Sequence, residues 1–470
     1  MSLTTMTRPN TGPFDSAFKP SGISGVAPGL INAPFAHSLG LALGSIAIEQ
    51  NISTIVVGRD CRMNGVELDA ALQAGLRATG IAVIDVGLAP TPLVYFAAHA
   101  TGSGAAICIT GGHLPAAYNG FNILLHHREV TGNELLELHA RMTQGASPGG
   151  HAGARTQSSM KPSYLARILG DIRLSRRMKV AVDCGNGMAS VLVPELLQAL
   201  GCDVTGLFCE PDGDFPNHLP DPSDKNNLQD LIYCLRYSDC ELGLAFDGDA
   251  DRVVVVTKTG EVVEADQLLA IFGCDLLERE HAALVVHDVQ ASRHLAQAIR
   301  NAGGASEMWK TGRAAIRDRM DTLDAQIGGD SNGHFIFRDR WYGFSDGIYA
   351  AARLLAILSR QSADGVGAAL RTLPGSSATP ELRALTGAVD PKHLLDALSE
   401  TARFAGAAQI VTIEGLRVEY IDGFGIVRAS NSSSALVFRF EADSLPALAR
   451  IQMDFRKQLR RVAPRLQLPF

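Results

Sequence analysis

The chain has 470 residues, of which 46% are hydrophobic and 19% are charged, and its formal net charge at pH 7 is -7. This length exceeds one ordinary hydrophobic core and predicts about three or four domains. The acidic balance argues against nucleic acid or an anionic membrane as the main partner, and no run of about 20 apolar residues predicts a membrane span.

The N-terminal segment lacks the long apolar run of a secretion signal, so we expect a cytoplasmic protein. The eight cysteines are scattered without a CxxC pair, and several lie inside apolar runs. We interpret them as reduced packing residues rather than as a disulfide framework or a zinc site.

Strand-like and helix-like segments alternate through the first part of the chain. Apolar runs predict strands at 53–58, 81–87 and 104–109, and helical periodicity covers 32–50 and 65–80. This alternation is typical of an α/β fold. The strand at 104–109 leads into the loop 110–115, at the end of a strand where ligands usually bind in open α/β sheets.

Changes in composition divide the chain further. A Gly/Ala/Ser-rich stretch at 144–159 and a Gly/Ser/Pro stretch at 374–380 predict linkers. Together with the length, they predict four domains, and we place their limits at 1–155, 156–257, 258–373 and 374–470.

The strongest chemical signal is a short acidic loop between two apolar runs. Asp247, Asp249 and Asp251 place carboxylates at alternate positions, where their repulsion is severe unless a divalent cation such as Mg2+ neutralises them. Arg252 follows directly and is suited to bind phosphate. An acidic surface turn is the alternative, but the flanking buried strands favour a magnesium site.

A loop near the C-terminus carries a second chemical signal. Arg428 supplies a guanidinium group, and Ser430, Asn431 and Ser432 supply short donors beside backbone N–H groups. Similar clusters also occur in polar hairpin loops. In combination with the acidic loop and the polar loop 328–334, this one predicts a phosphorylated polar substrate such as a sugar phosphate.

Several motifs, taken in order, resemble the α-D-phosphohexomutases, in particular the bacterial phosphomannomutase/phosphoglucomutase group. The matching segments span nearly the whole chain: 56–60, 183–187, 215–218, 246–252, 309–312, 343–347 and 428–431. The resemblance implies an α/β architecture with three similar mixed α/β domains and a smaller C-terminal α+β domain around a central cleft.

The resemblance also implies a reaction and its site. The three Asp residues would hold Mg2+, and phosphate would move between O1 and O6 of a hexose through a phosphoserine and a hexose 1,6-bisphosphate. The third domain would form hydrogen bonds with the sugar hydroxyls, and the fourth domain would bind the phosphate. The substrate-binding residues that it implies are Lys310, Asp330, Asn332, His334, Arg428, Ser430, Asn431 and Ser432.

The loop that carries the family's phosphoserine departs from the pattern. The family reads Thr-Ala-Ser-His-Asn-Pro, whereas this chain has Gly112 and Leu114 on either side of the retained His113. Glycine has no oxygen that could carry a phosphoryl group. Ser24 and Asn122 stand where the family has arginine and lysine, so two cations that would face that group are missing. We therefore expect weak or absent mutase activity.

The residues that the resemblance assigns to sugar binding also differ from the family pattern. Arg313 replaces a histidine, Asp330 replaces a glutamate, Asn332 replaces a serine, and Gln290 stands where lysine is frequent. These side chains can still form hydrogen bonds with a ligand. They favour a different sugar or a different pose.

Two classes of function remain open. In the first, the protein is a working mutase in which His113, a water-mediated route or direct exchange with a hexose bisphosphate replaces the serine. In the second, it is a catalytically silent relative that binds a sugar phosphate or a partner protein as a sensor, scaffold or regulator. A structural protein without a ligand is disfavoured, because three clustered carboxylates repel one another.

Overall fold

The computed structural model describes residues 16–19, 22–145, 149, 151–387, 389–430 and 434–470. It divides into two compact units, and each carries two β-sheets. The first unit comprises the described residues up to Val262 together with Phe344–Arg360, and the second comprises Val263–Gly343 and Gln361–Phe470.

The first sheet has the strand order β1-β2-β6-β5-β3-β4-β8, with β7 paired to β6. Strand β3 runs parallel to β4 and β5, whereas β6 is antiparallel to β5 and β2. The strands are β1 (Phe18–Lys19), β2 (Gly22–Val26), β3 (Thr54–Arg59), β4 (Ala82–Leu88), β5 (Ala106–Ile109), β6 (Tyr118–Leu125), β7 (Arg128–Glu129) and β8 (Arg155–Gln157). The helices are α1 (Ala33–Glu49), α2 (Gly65–Ala78), α3 (Thr91–Ala100) and α4 (Gly132–Gln144).

Two local features fix this layer. Helix α1 begins at Asn32, whose side chain accepts a hydrogen bond from the Phe35 N–H, as an N-cap residue should. Helices α1 and α2 can approach closely because Gly40 has no side chain. A Cβ atom there would lie only 2.4 Å from the Leu72 carbonyl oxygen. Strand β8 lies inside the stretch that composition predicted as a linker, and it pairs with β4.

The second sheet has the order β10-β9-β11-β12-β13. Strands β10 and β11 run parallel to β9, and β12 is antiparallel to β11. The strands are β9 (Lys179–Asp183), β10 (Asp203–Leu207), β11 (Leu242–Phe246), β12 (Val253–Thr257) and β13 (Val262–Val263). The helices are α5 (Lys161–Asp171), α6 (Val193–Ala199) and α7 (Gln229–Tyr237), with short 3-10 turns at Met188–Val191 and Lys225–Leu228.

The third sheet has the order β15-β14-β16-β17, with only β17 antiparallel to its neighbour. Its elements are β14 (Leu284–Asp288), β15 (Ala305–Trp309), β16 (Ile327–Gly329), β17 (Phe335–Phe337), α8 (Ala265–Leu277), α9 (Arg293–Asn301) and α10 (Arg313–Leu323). Helix α11 (Gly347–Leu358) follows in sequence but belongs to the first unit. There the Tyr164 hydroxyl donates a hydrogen bond of 2.8 Å to Asp346, which caps α11.

The fourth sheet is antiparallel, with the order β18-β23-β22-β21-β20 and with β19 paired to β23. Its strands are β18 (Ser377–Ala378), β19 (Leu382–Leu385), β20 (Gln409–Val411), β21 (Leu416–Tyr420), β22 (Gly423–Ala429) and β23 (Ala435–Ala442). The helices are α12 (Val366–Ala369), α13 (Pro391–Thr401) and α14 (Leu445–Val462), with a 3-10 turn at Ala363–Gly365. The predicted class, three mixed α/β layers followed by an α+β domain, is confirmed.

Two further expectations concern the whole chain. Among the described residues, no helix has both the length and the apolar character that crossing a bilayer requires. All eight cysteines lie within the described residues, and each is a free thiol.

Candidate active site

The acidic loop connects two buried antiparallel strands. Strands β11 and β12 pair so closely that Phe246 faces Val253, which leaves the loop 247–252 as a tight connection. Ala250 adopts a left-handed backbone conformation with φ of 62° at the centre of this turn. The turn brings together oxygen atoms of Asp247, Asp249 and Asp251 within 4.8 Å of one another.

The three carboxylates are almost completely buried, with exposed fractions of 1%, 2% and 2% for Asp247, Asp249 and Asp251. The Arg252 Nε donates a hydrogen bond of 2.9 Å to Asp247. One guanidinium group cannot balance three buried negative charges, and the donor set consists of hard carboxylate oxygens. A divalent cation such as Mg2+ therefore fits this loop.

The middle carboxylate is oriented by two side chains from the first sheet. The Thr91 hydroxyl, at the start of α3, donates a hydrogen bond of 2.5 Å to Asp249 Oδ2. The Asn122 side-chain amide, on β6, donates to the same oxygen at 3.3 Å. The structure thus places Asn122 at the acidic loop, whereas Ser24 lies half-buried on β2, opposite Gly120.

The loop 110–115 is held by a buried ion pair beneath it. Asp60 accepts hydrogen bonds from the Thr110 hydroxyl at 2.8 Å and from the Gly111 N–H at 3.2 Å. Arg62 donates to Asp60 at 3.0 Å. It also donates to three carbonyls of the loop, those of Gly112 (2.9 Å), Leu114 (2.6 Å) and Pro115 (2.6 Å), and to the carbonyl of Tyr118 at the start of β6 (3.0 Å).

Position 112 lies directly against the acidic loop. A Cβ atom on Gly112 would have Asp249 Oδ1 as its nearest neighbour, at 3.5 Å. A Cβ atom on Gly248 would lie 2.3 Å from the Gly112 carbonyl oxygen, so the two backbones approach as closely as glycine permits. Position 112 therefore faces the Asp249 carboxylate with no side chain, while the neighbouring His113 is exposed.

The loop 330–334 in the second unit uses its carboxylate internally. Asp330 accepts hydrogen bonds from the His334 ring at 2.9 Å and from the Asn332 N–H at 3.0 Å. Burial raises the pKa of the Asp330 carboxyl, but the charge and hydrogen bonds of His334 more than offset this, and the pKa is lowered from its ordinary value. The half-buried Asn332 and His334 side chains form the accessible part of this loop.

A second buried carboxylate lies beside this loop at the end of β14. Burial raises the pKa of the Asp288 carboxyl, and the nearby charge of Asp330 raises it further. The Ser331 hydroxyl donates to Asp288 at 2.7 Å, and the Gln290 amide donates to Ser331 at 2.9 Å. Gln290 therefore extends a hydrogen-bond chain that runs through Ser331 to Asp288. Lys310, on the next loop, is exposed.

The predicted phosphate-binding arginine lies at the end of β22. Arg428 is only 6% exposed, and its Nη2 donates a hydrogen bond of 3.1 Å to Glu381. Its Nε is buried and has no hydrogen-bond acceptor among the described residues. Ser430 is half-buried, and its N–H donates to the Ala435 carbonyl at 2.9 Å. Asn431 and Ser432 lie outside the described residues.

Comparison with known proteins identifies the family. Models of the four domains of phosphoglucomutase/phosphomannomutase match residues 162–260 (alpha/beta/alpha domain II), 15–147 (domain I), 264–373 (domain III) and 379–458 (C-terminal domain). The chain belongs to the phosphoglucomutase/phosphomannomutase family. The predicted family and its four-domain architecture are thus confirmed.

Similar family members cover almost the whole chain. A phosphomannomutase/phosphoglucomutase of Pseudomonas syringae is 43% identical over 456 residues, which is 97% of this chain and 97% of the relative. A phosphoglucomutase of Neisseria meningitidis is 43% identical over 441 residues, or 93% of this chain and 95% of the relative. A crystal structure of a Burkholderia thailandensis family protein has a TM-score of 0.92 and 43% identity, and covers 97% of this chain and 99% of its own.

Three residues in this phosphoglucomutase/phosphomannomutase chain were not singled out from the sequence. Arg62 holds the loop 110–115, Thr91 orients Asp249, and Glu381 accepts a hydrogen bond from Arg428. The only local signal for Arg62 was its place two residues after Asp60. Thr91 and Glu381 act on partners that are distant in sequence, so no local pattern indicated them.

Proposed function

We propose that this family member binds a hexose phosphate with Mg2+ and that its phosphohexomutase activity is weak or absent. The observation that carries this proposal is Gly112. It faces Asp249 at the place where the family pattern has a phosphorylated serine, and it offers no oxygen to a phosphoryl group.

The binding half of the proposal rests on what the chain retains. Asp247, Asp249 and Asp251 would hold Mg2+, which would supply neutralising charge to a phosphoryl group. The buried Arg428 offers an Nε that has no acceptor among the described residues, which suits an anionic ligand. Since position 112 cannot carry a phosphoryl group, residual turnover would depend on an added hexose 1,6-bisphosphate.

The chain's own residues have defined tasks in this scheme. Asp60 and Arg62 hold the loop 110–115 in shape, while Thr91 and Asn122 orient the middle carboxylate of the acidic loop. Asn122 reaches Asp249 through an uncharged amide, and Ser24 is also uncharged, so neither residue supplies the charge of the lysine and arginine in the family pattern. Cationic contacts to a transferring phosphoryl group can contribute about 10³-fold or more in rate, so their loss compounds the loss of the acceptor.

We also propose domain limits of 1–155, 156–257, 258–373 and 374–470. Each falls in, or within a few residues of, a gap between the matched regions 15–147, 162–260, 264–373 and 379–458, which supports the division. We propose a cytoplasmic location as well, since free cysteines suit a reducing compartment.

A coupled mutase assay tests the catalytic half. The purified protein is supplied with Mg2+, mannose 1-phosphate or glucose 1-phosphate, and a trace of the matching hexose 1,6-bisphosphate. We expect turnover far below the range of about 1–10³ s⁻¹ that is typical of enzymes. Turnover within that range, abolished by Asp249→Asn, would show that catalysis proceeds without an acceptor at position 112.

Calorimetry with the same sugar phosphates tests the binding half. We expect measurable binding that is lost in Arg428→Ala. Arg383→Ala is the matched control, because Arg383 pairs with the same Glu381 at 2.8 Å but is largely exposed. Equal loss in both variants, or no binding by the unmodified protein, would contradict the assignment of Arg428.

The second candidate is a catalytically silent sensor or scaffold that binds a sugar phosphate or a partner protein. The loop architecture favours it, since Arg62 bonds to three carbonyls of a loop that offers no acceptor at position 112. Binding without any turnover, even with bisphosphate present, would support this candidate over a weak enzyme.

A further inference from the structure

Two cysteines meet at the carboxyl ends of neighbouring parallel strands. Strands β9 and β10 pair with Asp183 opposite Leu207, so the residues that follow each strand emerge side by side. Cys184 comes directly after β9 and Cys209 two residues after β10. Their Sγ atoms lie 3.4 Å apart.

The backbone around the two sulfur atoms is already tied together. The Cys184 N–H donates to the Leu207 carbonyl at 3.1 Å, and the Asn186 N–H donates to the Phe208 carbonyl at 2.9 Å. A disulfide has an S–S length of about 2.05 Å, so the sulfur atoms need to approach by only ~1.4 Å. Side-chain rotation can supply a movement of this size without separating the strands.

The two thiols differ in access and in acidity. Cys209 is half-buried, whereas Cys184 is fully buried. The hydrogen bond between the two sulfur atoms lowers the pKa of Cys209, and burial raises the pKa of Cys184. These differences suit Cys209 for attack on an external disulfide and Cys184 for the second, internal step.

We propose that Cys184 and Cys209 form a redox-active dithiol that low-molecular-weight disulfides such as oxidised glutathione convert to an intramolecular disulfide. The Cys209 thiolate attacks one sulfur of glutathione disulfide, which releases one glutathione and leaves a mixed disulfide on Cys209. Cys184 then attacks the Cys209 sulfur and gives its proton to the departing glutathione thiolate, which releases the second glutathione. Two electrons and two protons pass from the protein thiols to glutathione disulfide.

The disulfide would constrain the turn that packs against Gly248 of the acidic loop. The turn that contains Cys184 continues to Gly187, where a Cβ atom would lie 2.8 Å from the Gly248 carbonyl oxygen. The next residue, Met188, donates its N–H to the same oxygen at 2.9 Å. Oxidation would therefore link strand β10 covalently to the turn on which Gly248 rests.

The test maps the disulfide in the folded, full-length protein. The reduced, folded protein is incubated with glutathione disulfide, free thiols are alkylated after denaturation so that buried cysteines react as well, and the digest is analysed by mass spectrometry. Trypsin leaves Cys184, Cys202 and Cys209 on one peptide, because no lysine or arginine lies between Lys179 and Lys225. Cleavage after Glu195 separates Cys184 from the other two.

The variants distinguish the possible partners. Cys202→Ser is the matched control, because it removes the buried cysteine just before β10 and leaves Cys209 as the only other cysteine on the tryptic peptide of Cys184. We expect this control to lose two free thiols and to show the Cys184–Cys209 link, reversible by dithiothreitol, whereas Cys209→Ser shows no link to Cys184. The proposal is overturned if Cys184 remains alkylatable at saturating oxidant, or if Cys209 stops at the mixed disulfide with glutathione.

Discussion

Introducing a hydroxyl at position 112 tests whether the missing acceptor alone accounts for the weak or absent mutase activity that we propose. Gly112 has a φ of 53°, in the left-handed region, so any side chain there is strained. The expected cost for an L-residue in this conformation is about 1–2 kcal/mol. Steric crowding should add no further cost, since the nearest heavy atom to a new Cβ is Asp249 Oδ1 at 3.5 Å, an ordinary contact distance.

Gly112→Ser should therefore fold with slightly reduced stability and should place a hydroxyl beside the acidic loop. We expect little mutase activity from it, because Ser24 and Asn122 leave the phosphoryl group without its two cations. The triple variant Ser24→Arg/Gly112→Ser/Asn122→Lys should exceed the single variant by about 10³-fold or more, the value of cationic contacts in phosphoryl transfer. Asn122 already contacts Asp249, so a lysine there would reach the acidic loop.

The assay follows glucose 6-phosphate formation from glucose 1-phosphate with Mg2+ and a trace of glucose 1,6-bisphosphate, and intact mass reports phosphorylation of the protein. Gly112→Ala is the control, because it has the same backbone strain without a hydroxyl. High activity in the single Gly112→Ser variant would refute the reasoning, as would equal phosphorylation of Gly112→Ala.

Three further changes test the contacts around the site. Glu381→Gln should tighten sugar-phosphate binding by about two- to fivefold in calorimetry, the effect of removing a carboxylate that competes for Arg428; weaker binding would mean that Glu381 only positions the guanidinium. Thr91→Val removes the hydroxyl donor to the acidic loop and should weaken Mg2+ binding by about 10–100-fold, whereas an unchanged Mg2+ titration would contradict that role. Burial lowers the pKa of His218, but its bond to Asp183 more than offsets this, so the pKa is raised above 6.5. The stabilisation that charged His218 supplies is fully present below pH 6.5 and is lost as pH rises through the raised value, so the destabilisation of His218→Gln in urea unfolding should shrink with rising pH and must not grow.

The sequence predicted the features whose cause is local. The acidic loop could be recognised because two apolar runs bracket it within a dozen residues, and the structure buries both runs as β11 and β12. The loop 110–115 could be placed because a buried strand leads into it. Strand β8 could not, because its residues 155–157 are exposed and polar, and only the edge of β4 makes them a strand.

The partners of the site residues depended on tertiary contacts. Thr91 lies 158 positions from the carboxylate that it orients, and Glu381 lies 47 positions from Arg428. The sequence also did not predict that the segment 344–360 groups with the first unit. In that unit Ser345 donates a hydrogen bond to the Asp251 carbonyl at 2.8 Å. The sequence placed this segment in the third domain, because nothing in it shows which sheet it packs against.

The architecture explains how an acceptor can disappear while its loop persists. Arg62 recognises the loop 110–115 only through backbone carbonyls, and Asp60 bonds to the Thr110 hydroxyl and the Gly111 N–H. None of these bonds involves the side chain at position 112. A glycine in place of the family's serine would therefore leave these bonds intact while removing the hydroxyl, and glycine also relieves the strain of a positive φ. The acidic loop and Arg428 belong to other elements, which is why the proposed function separates ligand binding from phosphoryl transfer.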